Sequence, residues 1–208
     1  MIDTQITTTL RHQPIQTRSA TTLSSMLLSA AKVVHAVGTE RLTSELVAVG
    51  SGFSIGTVYR YFEDRLNIID ALGKSNLERF RTECLNGISP RRYPGWFDAF
   101  AGVLDYLELQ FATQPGFRSV RFGDHLDGRV RAREQTNIAI AALSLQMTLE
   151  DNYPSIIDTG IVNRIEVALV LHDAMLGHAF AHSDAGDARL IANARKIAID
   201  YLTPTPAP

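Results

Sequence analysis

Cysteine occurs once in this chain, as Cys84, which rules out an intrachain disulfide and any zinc site built from clustered thiolates. No uninterrupted apolar run reaches the roughly 18 residues that a membrane span needs. The start, Met1 to Leu10, has no charged residue leading into an apolar stretch, so no secretion signal is expected. These absences predict a reduced, cytoplasmic protein with no membrane partner. An excess of positive charge is missing too. The formal net charge of -2 excludes a generally basic, histone-like protein, but a specific nucleic-acid binder needs only a positive docking face. There is no glycine-rich phosphate loop, nucleophile elbow, paired catalytic carboxylates or metal-ligand signature. The neighbours His172 and Asp173 point to different sides of a helix and make no relay. No enzymatic activity, cofactor or metal is therefore expected. Neither β-like alternation nor an internal repeat is visible.

Helical periodicity fills the space that these absences leave, and the chain reads as all-α. A polar, threonine-rich arm over residues 1–19 carries Arg11, His12 and Arg18. Leu23, Met26, Leu27, Ala30, Ala31, Val33, Val34 and Val37 then recur at helical spacing from Ala20, and Gly38 ends that helix. Thr43 or Ser44 caps a second helix with Leu46, Val47 and Val49 turned inward. Gly50 and Gly52 allow a tight turn, with Phe53 plugging the gap. Ser54 caps a third helix by accepting from the backbone N–H of Gly56 or Thr57. Asp64 caps a long fourth helix that runs to about Asn86. Further helices are expected over about 95–113, 129–150, 156–181 and 187–201, with a short piece from Phe117 to Phe122. The tail 203–208, rich in proline, is expected to be disordered.

The second and third helices have the layout of a helix-turn-helix, with residues 20–65 as a DNA-binding domain and 66–202 as a second helical domain. On the third helix Ile55, Val58 and Phe62 make a buried stripe, while Thr57 and Arg60 share the other side with Tyr59 and Tyr61 flanking them. A threonine can meet a thymine methyl or a base edge, and an arginine can bond bidentate to guanine. The tyrosine hydroxyls, Arg65, Ser54 and Ser44 suit phosphates, helped by first-turn N–H groups. Arg18 in the arm can reach the minor groove or the backbone. The bland alternative makes the tyrosines half-buried packing and Arg60 a solvated surface group.

The stretch from Arg18 to Leu72 resembles the TetR family of bacterial repressors. The likeness runs through Thr22, Leu28 to Ala31, Gly38, Thr43, Val47-Ala48, Gly52-Phe53-Ser54, Gly56 to Phe62, and Leu66. It departs from the usual pattern at Val49, where a polar residue is common. It departs also at Ser51, commonly alanine, and at Arg65, commonly lysine. The resemblance implies a three-helix DNA-binding head joined through the fourth helix to a helical domain that binds an inducer. It implies a homodimer in which the last two helices of each subunit pack together. Tyr59 and Tyr61 would then lie along the DNA backbone, with Thr57 and Arg60 at the bases.

The partners implied are double-stranded operator DNA, a second copy of the chain and a largely apolar small-molecule effector. Trp96, Phe100, Phe111, Phe117, Phe122, Met147 and Met175 are candidates to line an effector cavity, with His172 as its polar anchor; the alternative for each is plain core. The stripe Ile161, Ile165, Leu169, Leu176 with Leu190, Ala194 and Ile197 is expected to face across the dimer axis. His178 and His182, four apart, fit either a metal or an interface. Asp124, His125 and Asp127 fit either a chelate site or a solvated loop. Arg118, Arg121, Arg129, Arg131 and Arg133 suit an acidic effector or an ion-paired surface. The leading expectation is a repressor released by its effector. Its rivals are an activator or non-inducible DNA binder with the same head, and a helical interaction module that has lost DNA binding.

Overall fold

The computed structural model describes residues 17–114, 116–122, 128–154 and 161–203. Every regular element among them is helical. In chain order these are α1 (Thr17–Val37), α2 (Ser44–Ser51), α3 (Ile55–Tyr61), α4 (Arg65–Arg79), α5 (Trp96–Thr113), α6 (Phe117–Phe122), α7 (Gly128–Asn152), α8 (Ile161–Ala179) and α9 (Ala188–Leu202). After α4 the chain does not continue as one long α-helix. It widens into a π-helical turn at Phe80–Cys84 and tightens into a 3-10 turn at Leu85–Gly87. The expected end near Asn86 holds, but the pitch changes on the way.

The chain divides into two compact units. The first takes Met1–Leu77 and Pro115–Gln135, the second Glu78–Gln114 and Thr136–Pro208. This differs from a boundary at residues 65 and 66. Ile68, Ile69, Ala71 and Leu72 of α4 are buried in the same cluster as Met26, Val34, Val47, Val58 and Phe62, and so is Val120 of α6. Fully burying side chains such as Met26, Phe62 and Ile68 stabilises this cluster by roughly 1.5–3 kcal/mol each. The arm and the tail lie outside the described residues, apart from Thr17 to Ser19 in the first turn of α1 and Thr203 after α9.

α1 from Ser19 to Val37 has the length and mean hydropathy (1.2) of a membrane span, although serines and threonines interrupt it. Its inner face, Leu23, Met26, Ala30 and Val34, is instead the floor of the first unit's core. α1 and α2 pack closely enough for the buried Ser29 hydroxyl to donate to the Val47 carbonyl at 3.1 Å. A Cβ at Gly50 would meet that hydroxyl oxygen at 2.3 Å, so alanine there would turn the Ser29 hydroxyl away from the Val47 carbonyl. α6 lies on α1 in the same unit. Gly116 enters it with φ +74°, and a Cβ there would stand 2.6 Å from the Ala31 carbonyl oxygen.

In the second unit α5, α8 and α9 contact one another. Phe100, Val103, Leu104 and Phe111 of α5 are buried, as are Ile165, Leu169 and Leu176 of α8, and Ala194, Ala198 and Leu202 of α9. Phe111 meets the Phe180 ring at 5.8 Å, and the Tyr153 hydroxyl donates to the Tyr93 carbonyl at 2.7 Å. Asp187 caps α9 by accepting from the N–H groups of Arg189 and Leu190.

Candidate nucleic-acid interface

Three short oxygen-bearing side chains fix where the helices of the head begin. Thr43 accepts from the Leu46 N–H at 3.2 Å, Ser54 from Thr57 at 3.2 Å and Asp64 from Asn67 at 2.8 Å. Gly52 closes α2 in the left-handed conformation, φ +75°, and its N–H returns to the Ala48 carbonyl at 3.0 Å. α3 therefore starts immediately after a tight turn, with its first-turn N–H groups directed toward the Ser54 end. Val58 and Phe62 fasten the helix to the core, and the half-buried Phe53 packs against the same cluster.

What α3 leaves outside is a compact mixed surface. Tyr59 is 44% exposed, and Arg60, Ser54 and Gly56 are exposed beside it. Ser54 and Thr57 join their hydroxyls at 2.8 Å, so the half-buried Thr57 is tied to the cap. Arg65 donates to the Glu40 carbonyl at 2.7 Å, which links the start of α4 to the turn after α1 and leaves other guanidinium N–H groups for a phosphate. The Glu45 carboxyl is held below the usual carboxylate range by its backbone hydrogen bond, then by the Thr43 and Tyr59 hydroxyls. This acidic neighbour of Tyr59 had no motif signal, since α2 and α3 meet only in the fold.

Several expectations change here. Tyr61 is only 8% exposed, its ring in the core and its hydroxyl directed to the Ser19 carbonyl at 3.5 Å, so it does not flank Arg60 on the surface as Tyr59 does. Ser44 is 7% exposed because Thr43 takes the cap and turns the next residue inward. Ile55 is not part of a buried stripe but 38% exposed, and Val49 is 82% exposed. Arg18 lies in the first turn of α1, and its side chain is not among those described.

The second unit holds a polar network on its three packed helices. Fully buried His172 places Nε2 3.2 Å from Glu108 Oε1, and Arg195 donates to both Glu108 oxygens at 3.2 and 3.1 Å while also pairing with Asp105. Burial raises the Glu108 carboxyl, but the hydrogen bonds from His172 and Arg195 outweigh it and leave the group below its usual range. Glu108 is thus an ionised acceptor, and His172 donates to it from Nε2. Nδ1 is left buried with no partner among the described residues.

The other effector candidates differ in burial and are divided between the two units. Phe100 and Phe111 are buried in the second unit, while Trp96, stacked on Phe97 at 3.7 Å, and Met175 are half-buried. Phe117 belongs to the first unit, Met147 is 57% exposed, and the Phe122 side chain is not described. Asp124, His125 and Asp127 lie outside the described residues. His178 and His182 are exposed, and no group of three metal-capable side chains occurs among the described residues. Arg133 pairs at 3.1 Å with nearly buried Asp70, which also holds Lys74 at 3.1 Å.

The expected dimer stripe is corrected as well. Ile161, Ile165, Leu169, Leu176 and Ala194 are buried within the single chain, because α8 and α9 use that face against each other and α5. Leu190 is half-buried, and only Ile197 is clearly outside. Among the described residues, the large apolar side chains left exposed on these two helices are Val167, Val170 and Leu171 of α8, with Ile197 and Tyr201 of α9.

A capped helix-turn-helix with an exposed tyrosine and arginine on its second helix, followed by an all-helical second unit, defines a DNA-binding regulator. A family model described as "Tetracyclin repressor-like, C-terminal domain" matches residues 94–205, more than half of the chain. The structure is similar to that of a TetR-family transcriptional regulator from Streptomyces coelicolor. That match has 29% identity and a TM-score of 0.68, and covers 88% of this chain and 96% of the other. It shares its fold with the fatty acid degradation regulator FadR of Bacillus halodurans (13% identity, TM-score 0.64, covering 86% and 94%). The fold is shared also with a TetR transcriptional regulator of Rhodococcus sp. RHA1 (15% identity, TM-score 0.54, covering 88% and 95%). No curated protein matches the chain. The chain belongs to the TetR family, and it is a DNA-binding transcriptional regulator rather than an enzyme.

Proposed function

We propose that this protein is a homodimeric repressor that leaves its operator when a small, largely apolar effector binds in the second unit. The observation that carries the reading is the exposed pair Tyr59 and Arg60 on a helix whose first turn is capped and free of bulky polar groups. Arg60 reads guanine, and Tyr59 with the α3 N-terminus grips phosphate. Ser54, Thr57 and Arg65 support them, and Arg18 follows the backbone or the minor groove.

The dimer uses the outer stripe of α8 and α9, with Val167, Val170, Leu171, Ile197 and Tyr201 meeting their copies about a two-fold axis. Two recognition helices must then stand about 34 Å apart to enter successive major grooves. The effector packs against the aromatic side of α5 and shares a hydrogen bond with His172 Nδ1, a buried ring nitrogen with no partner among the described residues, where an unmade bond costs roughly 1–3 kcal/mol. A hydroxyl or N–H group on an apolar frame fits that demand. Binding that favours the non-binding state by roughly a few kcal/mol is enough to release DNA.

Selection of random duplex DNA by the purified protein, followed by footprinting at physiological salt, tests the reading. The expected product is a palindrome with half-sites one helical turn apart, bound roughly 10- to 100-fold more weakly by Arg60→Ala. Paired Val170→Glu and Ile197→Glu substitutions should give a monomer in sedimentation and lose the two-sided footprint. A folded dimer that enriches no sequence, or a native monomer at micromolar concentration, would overturn it.

A further inference from the structure

We propose that Ile55 is a base-reading residue of this regulator and that it reads the 5-methyl group of a thymine in each operator half-site. The inference rests on the DNA-binding reading above and goes beyond it by naming a base and the group that detects it. Ile55 is the first residue of α3, directly after the Ser54 cap. Residues at the N-terminal end of a recognition helix are those that reach base edges.

Its side chain is 38% exposed, whereas Val58 one turn later is fully buried. Ile55 is outside the buried cluster that holds Val58, and part of its apolar surface is left uncovered. The surroundings narrow the choice of contact. Gly56 beside it is exposed and has no side chain, and a Cβ there would meet nothing closer than the Ser54 hydroxyl at 3.9 Å, so the tip of the helix is open to a close surface. The two hydroxyls at that tip, of Ser54 and Thr57, are bonded to each other at 2.8 Å, and Ser54 also accepts the Thr57 N–H. These bonds hold the two hydroxyls to the cap and use one of their O–H donors, so they stay close to the backbone and leave the space in front of Ile55 clear. The side chain that projects beyond the cap at the tip is aliphatic.

In the major groove only thymine presents a methyl group, and apolar side chains pair with it by excluding water. An isoleucine, stiff at χ1, makes such a contact with little loss of rotamer freedom. Burying one methyl contributes roughly a three- to fourfold gain in affinity, so two half-sites together give roughly tenfold or somewhat more.

The test uses the full-length protein and the duplex it selects. Each thymine of the half-site is replaced in turn by deoxyuridine, which removes only the methyl, and the dissociation constant is measured at fixed salt for wild type, Ile55→Ala and Ile55→Val. One position is expected to lose roughly three- to fourfold per half-site with wild type and to show no loss with Ile55→Ala. Ile55→Val should keep part of the response. Because Ile55 is outside the core, circular dichroism and melting of both variants should match wild type. A selected site without thymine, wild-type indifference to every deoxyuridine, or a methyl effect that persists unchanged in Ile55→Ala would overturn the proposal while leaving DNA binding intact. Selection of no sequence at all would remove both.

Discussion

Replacing Gly116 by alanine isolates the contact that fastens α6 to α1. Gly116 has φ +74°, and an added Cβ would stand 2.6 Å from the Ala31 carbonyl oxygen, 3.0 Å from its Cα and 3.1 Å from its carbonyl carbon. These are backbone atoms of a helix and cannot swing aside. The left-handed conformation costs a non-glycine residue roughly 1–2 kcal/mol, and forcing extra volume into a packed contact costs a further 1–3 kcal/mol or so. The sum is about 2–5 kcal/mol, a large share of the roughly 5–15 kcal/mol that stabilises a typical protein. Gly38→Ala is the control. It has φ +81° with nothing within 4 Å, so only the conformational cost applies, about 1–2 kcal/mol. Hydrogen exchange of the α1 amides is the suitable assay, because it reports the head without requiring the chain to unfold in one step. Gly116→Ala should lower α1 protection by about 1–3 kcal/mol more than Gly38→Ala does. If the two variants agree within about 0.5 kcal/mol, a typical uncertainty between independent sites, α6 does not press on α1 and the reasoning fails.

Glu45→Gln should raise DNA affinity several-fold at low salt by removing a carboxylate beside Tyr59, with the gain shrinking as salt rises; a gain independent of salt would point to a cause other than charge. Since the Glu45 carboxyl is held low, it stays charged at pH 5, and the difference between the two proteins should persist from pH 7 to pH 5 in the same binding assay. Burial pushes the Cys84 thiol up to about 12, so alkylation at pH 8 should be slow in the native protein and fast in denaturant; equal rates would place the thiol at the surface. Glu108, depressed in the folded chain, contributes stability above its unfolded pKa that is lost as pH falls through the lower folded value. Glu108→Gln should therefore be less stable than wild type at pH 7, with a flatter decline below pH 5 in denaturant titrations, and parallel curves would refute this.

The helix boundaries of the head could be read in the sequence because local chemistry sets them. Thr43, Ser54 and Asp64 each satisfy the N–H three residues on, and Gly38 and Gly52 each take a positive φ. The faces of the helices were less legible. α3 is barely two turns long, too short for periodicity to show that Ile55 is outside while Val58 is inside. α8 is apolar nearly all round, so spacing alone could not separate the buried Ile165, Leu169 and Leu176 from the exposed Val167, Val170 and Leu171. The His172–Glu108 pair joins positions 64 apart, and Arg195 reaches Glu108 from 87 away. No short-range pattern carries such contacts. The π-helical turn at Phe80–Cys84 has no residue signature either, its composition being that of an ordinary helix.

The interrupted course of the first unit has a consequence for biosynthesis. Val120 belongs to the same cluster as Met26 and Phe62, yet the 37 residues of Glu78–Gln114 are spliced in ahead of it. At roughly 5–20 residues per second, a ribosome that has just made Leu77 needs roughly 2–9 s more to reach Val120. Until then the cluster lacks the side chain that α6 contributes to it. The last seal on the DNA-reading end is therefore set by a segment translated well after its reading helix, and no single cut of the chain can release that end whole.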